Sequence, residues 1–327
     1  MWNPNTRVDE DCLYLNIWVP ENNYSRPLTQ ENRLAVMVWI YGGGFYSGTS
    51  TLDVYDGKNL AAGNNVIVVS VQYRVGPLGF LYLGSMNMDS PGNMGIWDQI
   101  MALSWIHENI ECFGGDSKRI TIFGESAGAA SVGILLITPW AHRFYNNAIL
   151  ESASPYSPWA LQNSEVMLER SIKLANKIGC KFDISQKDHL INCMRGLDAL
   201  TITEHKQAVL LTADRPGFLD VAFSPTFDNY LFPGLNSVHD IDKNTLKNAN
   251  ILIGVNKNEG TYFLAYGLDY FNQYIERTKQ YIGLKIDALG FDLKEFEVKT
   301  FISFSNFLCL KSILFLLKFK KISSKIL

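Results

Sequence analysis

The chain has 327 residues, 47% of them hydrophobic, enough for a large core in one or two domains. Its formal net charge is −3, with acidic and basic residues interspersed, which argues against nucleic acid as a partner. Five cysteines in this length exclude a disulfide-scaffolded miniprotein. Cys180 and Cys193 could close a small loop, but they lack the histidine or further cysteines of a zinc site.

In chain order, Met1-Trp2-Asn3-Pro4-Asn5 has neither the basic nor the apolar segment of a signal peptide. Residues 13–19 read as a strand. Asn23-Tyr24-Ser25 is a glycosylation sequon, meaningful in a secreted protein. Residues 34–40 form a continuous apolar run, as in a buried strand. That run empties into Tyr41-Gly42-Gly43-Gly44-Phe45. Consecutive glycines after a strand leave backbone N–H groups bare and able to converge on an oxyanion. Residues 66–71 predict another buried strand. Residues 95–113 predict a helix, with Trp97, Ile100, Met101, Leu103, Ile106 and Ile110 at helical spacing and His107 on it.

The most specific signal follows. An apolar, β-rich run at 119–123 leads into Gly124-Glu125-Ser126-Ala127-Gly128, and a helical run follows at 129–136. Strand, Gly-x-Ser-x-Gly and helix make a nucleophile elbow. The turn is so tight that Ser126 must take a strained backbone, and the flanking glycines let strand and helix approach. The hydroxyl then stands at a helix N-terminus that favours a developing anion. A strand at 147–151, helices across 164–209, a strand at 251–255 and a helical stretch after Glu259 complete the alternation. This predicts a largely parallel α/β sheet. No linker, repeat or low-complexity break divides it. The predicted domain spans 1–300.

Residues 301–327 are apolar with Lys as the only charged residue type. Lys311 interrupts the run, which falls short of the ~20 residues of a membrane span. An interfacial basic helix and a chain end foreign to the fold are the remaining readings, and the second is preferred.

Several segments resemble the type-B carboxylesterases, and within them the cholinesterases. They are Glu10-Asp11-Cys12-Leu13-Tyr14-Leu15-Asn16, Tyr41 to Gly48, Gln72-Tyr73-Arg74-Val75-Gly76, Phe113-Gly114-Gly115-Asp116, Phe123 to Ala130 and Val255-Asn256-Lys257-Asn258-Glu259-Gly260. The resemblance implies an α/β-hydrolase fold lacking the family's N-terminal start and C-terminal third. It implies carboxylic ester hydrolysis, of choline esters, through an acyl-enzyme, with no cofactor or metal. Ser126 is then the nucleophile and Glu259 the acid of a Ser-Glu-His triad. Gly43, Gly44 and the Ala127 N–H form the oxyanion hole. Trp2 would hold a choline cation by cation–π attraction, with Glu125, Tyr46, Tyr262, Phe263 and Tyr266 lining the gorge. Trp159, Leu219 and Val221 would form an acyl pocket roomy enough for butyryl groups, with Leu210 at the gorge mouth. The resemblance also pairs Cys180 with Cys193 and Arg74 with Asp98. It leaves Cys12 unpartnered and Cys112 a buried free thiol. It implies a secreted or cell-surface protein acting on a small-molecule ester, and is silent on oligomerisation.

One part of the pattern is missing. His107, His142, His189, His205 and His239 all precede Glu259, and no histidine follows it. The chain as written is therefore expected to be an incomplete hydrolase with little triad-dependent turnover. A non-catalytic cholinesterase-like adhesion or binding protein is the alternative reading.

Overall fold

The computed structural model describes residues 3–21, 31–84, 90–181, 187–205 and 221–262. Among the described residues six strands form one sheet: β1 (Leu15–Trp18), β2 (Leu34–Ile40), β3 (Ile67–Val71), β4 (Gly115–Glu125), β5 (Asn147–Glu151) and β6 (Asn250–Gly254). Their order is β1-β3-β2-β4-β5-β6. β1 runs antiparallel to β3, and every other pairing is parallel.

The helices follow from the connections. α1 (Lys58–Asn64) precedes β3, and α2 (Gly76–Phe80) and α3 (Met94–Asn109) lie between β3 and β4. α4 (Ala127–Ile137) joins β4 to β5. α5 (Ser164–Lys177), α6 (Lys187–Arg195) and α7 (Ala199–Glu204) fill the β5–β6 connection. Parallel neighbours require such crossovers. Among the described residues no helix is long and apolar enough to cross a membrane.

Sequence character explains burial. All of β3, Ile-Val-Val-Ser-Val, is buried, as a strand covered on both faces should be. Its one polar residue, Ser70, accepts from Asn16 Nδ2 at 3.1 Å and donates to the Ser50 carbonyl at 3.3 Å. α4 is buried on every side. Small residues let it sit tightly: a Cβ added to Gly133 would lie 2.2 Å from Pro155 Cδ. α5 instead buries one stripe, Met167, Ser171, Leu174 and Ala175, at helical spacing.

Four expectations need correction. β4 begins at Gly115 rather than at residue 119, because Gly115 already pairs with Leu34 across a register shift. The predicted 95–113 helix ends as α-helix at Asn109 and closes in a 3₁₀ turn, Ile110–Phe113. Met101, assigned to its apolar face, is 71% exposed, because the buried stripe runs through Ile96, Ile100, Leu103 and Ile106. That turn also carries Cys112 to the surface, so it is a free thiol but an exposed one.

The Cys180–Cys193 disulfide is present, joining the segment after α5 to α6 with a Cα–Cα distance of 5.7 Å. Cys12 is a half-buried free thiol whose pKa burial raises. Residues 301–327 lie outside the described residues.

Candidate active site

Ser126 sits between β4 and α4 with φ 55° and ψ −121°, a combination that strains any residue with a Cβ. Three glycines make that turn possible. A Cβ on Gly124 would lie 2.6 Å from both the Gly128 carbonyl carbon and the Ile40 oxygen. A Cβ on Gly128 would lie 2.0 Å from that same Ile40 oxygen. A Cβ on Gly42 would lie 3.1 Å from Ser126 Cβ. Strand β4, helix α4 and the glycine loop after β2 therefore meet at backbone contact. The Ser126 N–H donates to the Glu151 carbonyl at 2.9 Å, anchoring the turn to the end of β5.

The glycine loop is itself locked. The Gly43 carbonyl accepts from the Tyr46 N–H (3.2 Å), the Ser47 N–H (3.1 Å) and Ser47 Oγ (3.1 Å). Gly43 at φ 117° and Gly44 at φ 61° supply the turn. Neither of their N–H groups donates to a described residue, so both are left available at the loop surface. The Ala127 N–H is the first in α4, where no intrahelical partner exists. Tyr46 is 41% exposed, and its ring packs against Gly44.

Two buried tyrosines that the sequence reading missed brace this loop. Tyr41 OH donates to the Tyr73 carbonyl, Tyr73 OH donates to the Tyr41 carbonyl, both at 2.8 Å, and the rings stack 4.3 Å apart. Burial pushes both phenols well above the usual range. An aromatic just after each of two apolar strands was the only available signal. The next residue, Arg74, meets Asp98 of α3 as expected, with Nε–Oδ2 at 2.8 Å and Nη2–Oδ1 at 2.7 Å.

Carboxylates gather at the same edge of the sheet. Glu125 ends β4, Glu151 ends β5, and the two are register partners. Glu259 follows β6, half-buried, its Oε1 accepting from the Asn256 N–H at 2.7 Å. Burial, then Glu259, then Glu151 push the Glu125 carboxyl up to about 7. Burial also raises Glu151. Tyr55, whose ring lies tilted against Trp39 at 5.1 Å, rises to about 12 through burial, Glu125 and then Tyr262. Tyr262 is thus close enough to feel this cluster, though it is largely exposed.

Further out, the Trp159 ring lies 6.1 Å from Phe45, which follows the glycine loop, and Val221 is buried. Trp2, Asn23, Leu210, Leu219, Phe263 and Tyr266 lie outside the described residues. The histidines are all placed elsewhere. His142 Nε2 bonds the Leu136 carbonyl, His205 Nδ1 bonds the Thr201 carbonyl, and His107 meets the Phe144 ring edge-on. His189 lies in α6, and His239 lies in a 3₁₀ turn, Val238–Asp240. No cluster of His, Cys, Asp or Glu among the described residues could hold a metal ion.

A serine on a strained strand-to-helix elbow, facing a glycine loop at the head of a mostly parallel sheet, defines an α/β-hydrolase. Comparison with known families places it further: the model of the carboxylesterase family matches residues 1–297, and the chain belongs to that family. The chain is 46% identical over 274 residues to "Cholinesterase" of Mus musculus, covering 84% of this chain and 43% of the relative. It is 45% identical over 273 residues to "Acetylcholinesterase" of Danio rerio, covering 84% and 41%. Against "Cholinesterase 1" of Branchiostoma lanceolatum it is 43% identical over 268 residues, covering 82% and 72%. The chain thus spans about two fifths of the first two relatives.

Proposed function

We propose that this sequence encodes the nucleophile-bearing part of a carboxylic ester hydrolase that acts on choline esters. Ser126 Oγ attacks the ester carbonyl, the alcohol leaves, and water releases the acid from the acyl-enzyme. The Gly43, Gly44 and Ala127 N–H groups would receive the oxyanion. One such donor is typically worth roughly 3 kcal/mol of barrier. The observation that carries the reading is the contact of the strained Ser126 with the Gly42–Gly44 loop. The names of the relatives, a cholinesterase and an acetylcholinesterase, supply the substrate class.

In this reading Glu259 is the acid that orients an imidazole, and no histidine follows it in this sequence. The 327-residue chain is therefore expected to have little triad-dependent turnover. Trp2 and the aromatics Tyr46, Tyr262, Phe263 and Tyr266 would receive the choline cation. Leu219 and Val221 would admit acyl groups longer than acetyl.

The test is stoichiometric labelling of the purified chain by a fluorophosphonate, with acetyl- and butyrylthiocholine as substrates. Labelling should be slow, specific to Ser126, and lost in Ser126→Ala. Labelling that persists in Ser126→Ala would place the nucleophile elsewhere. Fast, stoichiometric labelling would show that an imidazole reaches Ser126 after all.

A further inference from the structure

We propose that Glu125 is the base that serves Ser126 in the chain as it stands, giving it a slow, histidine-independent esterase activity. The inference rests on the hydrolase reading of Ser126.

The geometry comes first. Glu125 precedes Ser126 at the end of β4, and both side chains border Gly42. A Cβ placed on Gly42 would lie 3.1 Å from Glu125 Oε2 and 3.1 Å from Ser126 Cβ. The carboxylate oxygen and the Cβ of the nucleophile therefore flank the same glycine, at the loop whose N–H groups would receive the oxyanion. Among the described residues the Glu125 carboxylate is acted on by burial and by the like charges of Glu259 and Glu151 rather than by a hydrogen-bond donor. The five histidines are all placed elsewhere in the fold.

The surroundings tune it. Glu259 approaches from the loop after β6, Glu151 from the end of β5, and Tyr55 from the 3₁₀ turn Asp53–Tyr55. Partial burial, then the like charges of Glu259 and Glu151, raise the proton affinity of Glu125 toward neutrality. A base is most effective when its pKa lies near the working pH.

The step balances without another reactant. As Oγ bonds to the carbonyl carbon, the hydroxyl proton passes to Glu125 Oε2, directly or through one water. The protonated carboxyl returns it to the departing alkoxide as the ester C–O bond breaks. Water repeats the sequence on the acyl-enzyme, Glu125 taking its proton and returning it to Ser126.

The experiment is hydrolysis of 4-nitrophenyl acetate by the purified 327-residue chain from pH 5 to 9. The rate should rise with pH through a midpoint near 7, because the base acts when deprotonated. Glu125→Gln, nearly isosteric, should lower the plateau by roughly a hundredfold and flatten the profile. Glu151→Gln removes a neighbouring negative charge and should move the midpoint to lower pH. A Glu125→Gln chain that keeps both rate and profile overturns the proposal. So does a wild-type rate no higher than that of Ser126→Ala. Fluorophosphonate labelling of Ser126 in that second case separates failure of this base from failure of the hydrolase reading.

Discussion

Arg74 holds Asp98 with both arms of its guanidinium, while the Arg74 N–H donates to the same Asp98 Oδ2 at 3.0 Å. One carboxylate thus receives three charge-assisted or backbone bonds, and Asp98 is nearly buried. The contact pins the end of β3 to α3 directly below the Tyr41–Tyr73 brace. Asp98→Asn should therefore cost about 3 kcal/mol, because a guanidinium is left facing a neutral amide. Urea unfolding of the two chains checks it. A midpoint within error of wild type would mean that Arg74 finds water easily.

Gly128→Ala should damage the elbow more than any exposed substitution. Its Cβ would meet the Ile40 oxygen at 2.0 Å, and neither partner can move without parting β2 from α4. The expected cost is about 3 kcal/mol or more, with loss of fluorophosphonate labelling at Ser126. Gly63→Ala serves as the control, since a Cβ there meets nothing within 4 Å and the residue lies in α1. Helix propensity should make it neutral to slightly stabilising.

Asn93 ties the start of α3 to the segment beyond Val221. Fully buried at φ 60°, its Nδ2 donates to the Thr226 carbonyl (2.8 Å) and Asp228 Oδ2 (2.7 Å), while Oδ1 accepts the Thr226 N–H (2.8 Å). Burial raises the Asp228 pKa, so the carboxylate depends on its donors. Asn93→Ala strands three buried groups and should cost about 4 kcal/mol. Thermal unfolding checks it. A loss below about 1 kcal/mol would imply that water replaces the amide.

The raised Glu125 pKa has a consequence for stability as well as for chemistry. Below pH 4.5 both folded and unfolded chains hold the proton. Between 4.5 and about 7 only the folded chain does, so unfolding releases a proton and stability falls as pH rises. The loss should approach about 3 kcal/mol by pH 8. Glu125→Gln lacks this slope and should gain on the wild type as pH rises from 5 to 8. Parallel stability curves for the two chains would contradict the shift.

The elbow was legible because its physics is local. A strand, a tight turn and a helix are written in consecutive residues, and only glycine fits the two contact points at 124 and 128. The glycine loop was legible for the same reason. Parallel strands could be inferred from fully apolar runs, such as that of β3, separated by helical stretches. Family pattern, rather than periodicity, pointed to Glu259, Arg74–Asp98 and Cys180–Cys193.

What only the tertiary structure decided depends on register and packing. Glu125 and Glu151 are neighbours because β4 and β5 pair in a particular register, which nothing in either strand specifies alone. The crossed Tyr41–Tyr73 bonds arise where two strand ends, separated by a whole crossover, are brought level. Met101 and Cys112 turned outward because helix rotation is set by the best-packed stripe and by a final 3₁₀ turn, not by hydrophobicity alone. The proton affinity of Glu125 is likewise a property of three chain segments meeting, since desolvation and like-charge repulsion act through space and leave no trace in the sequence around it.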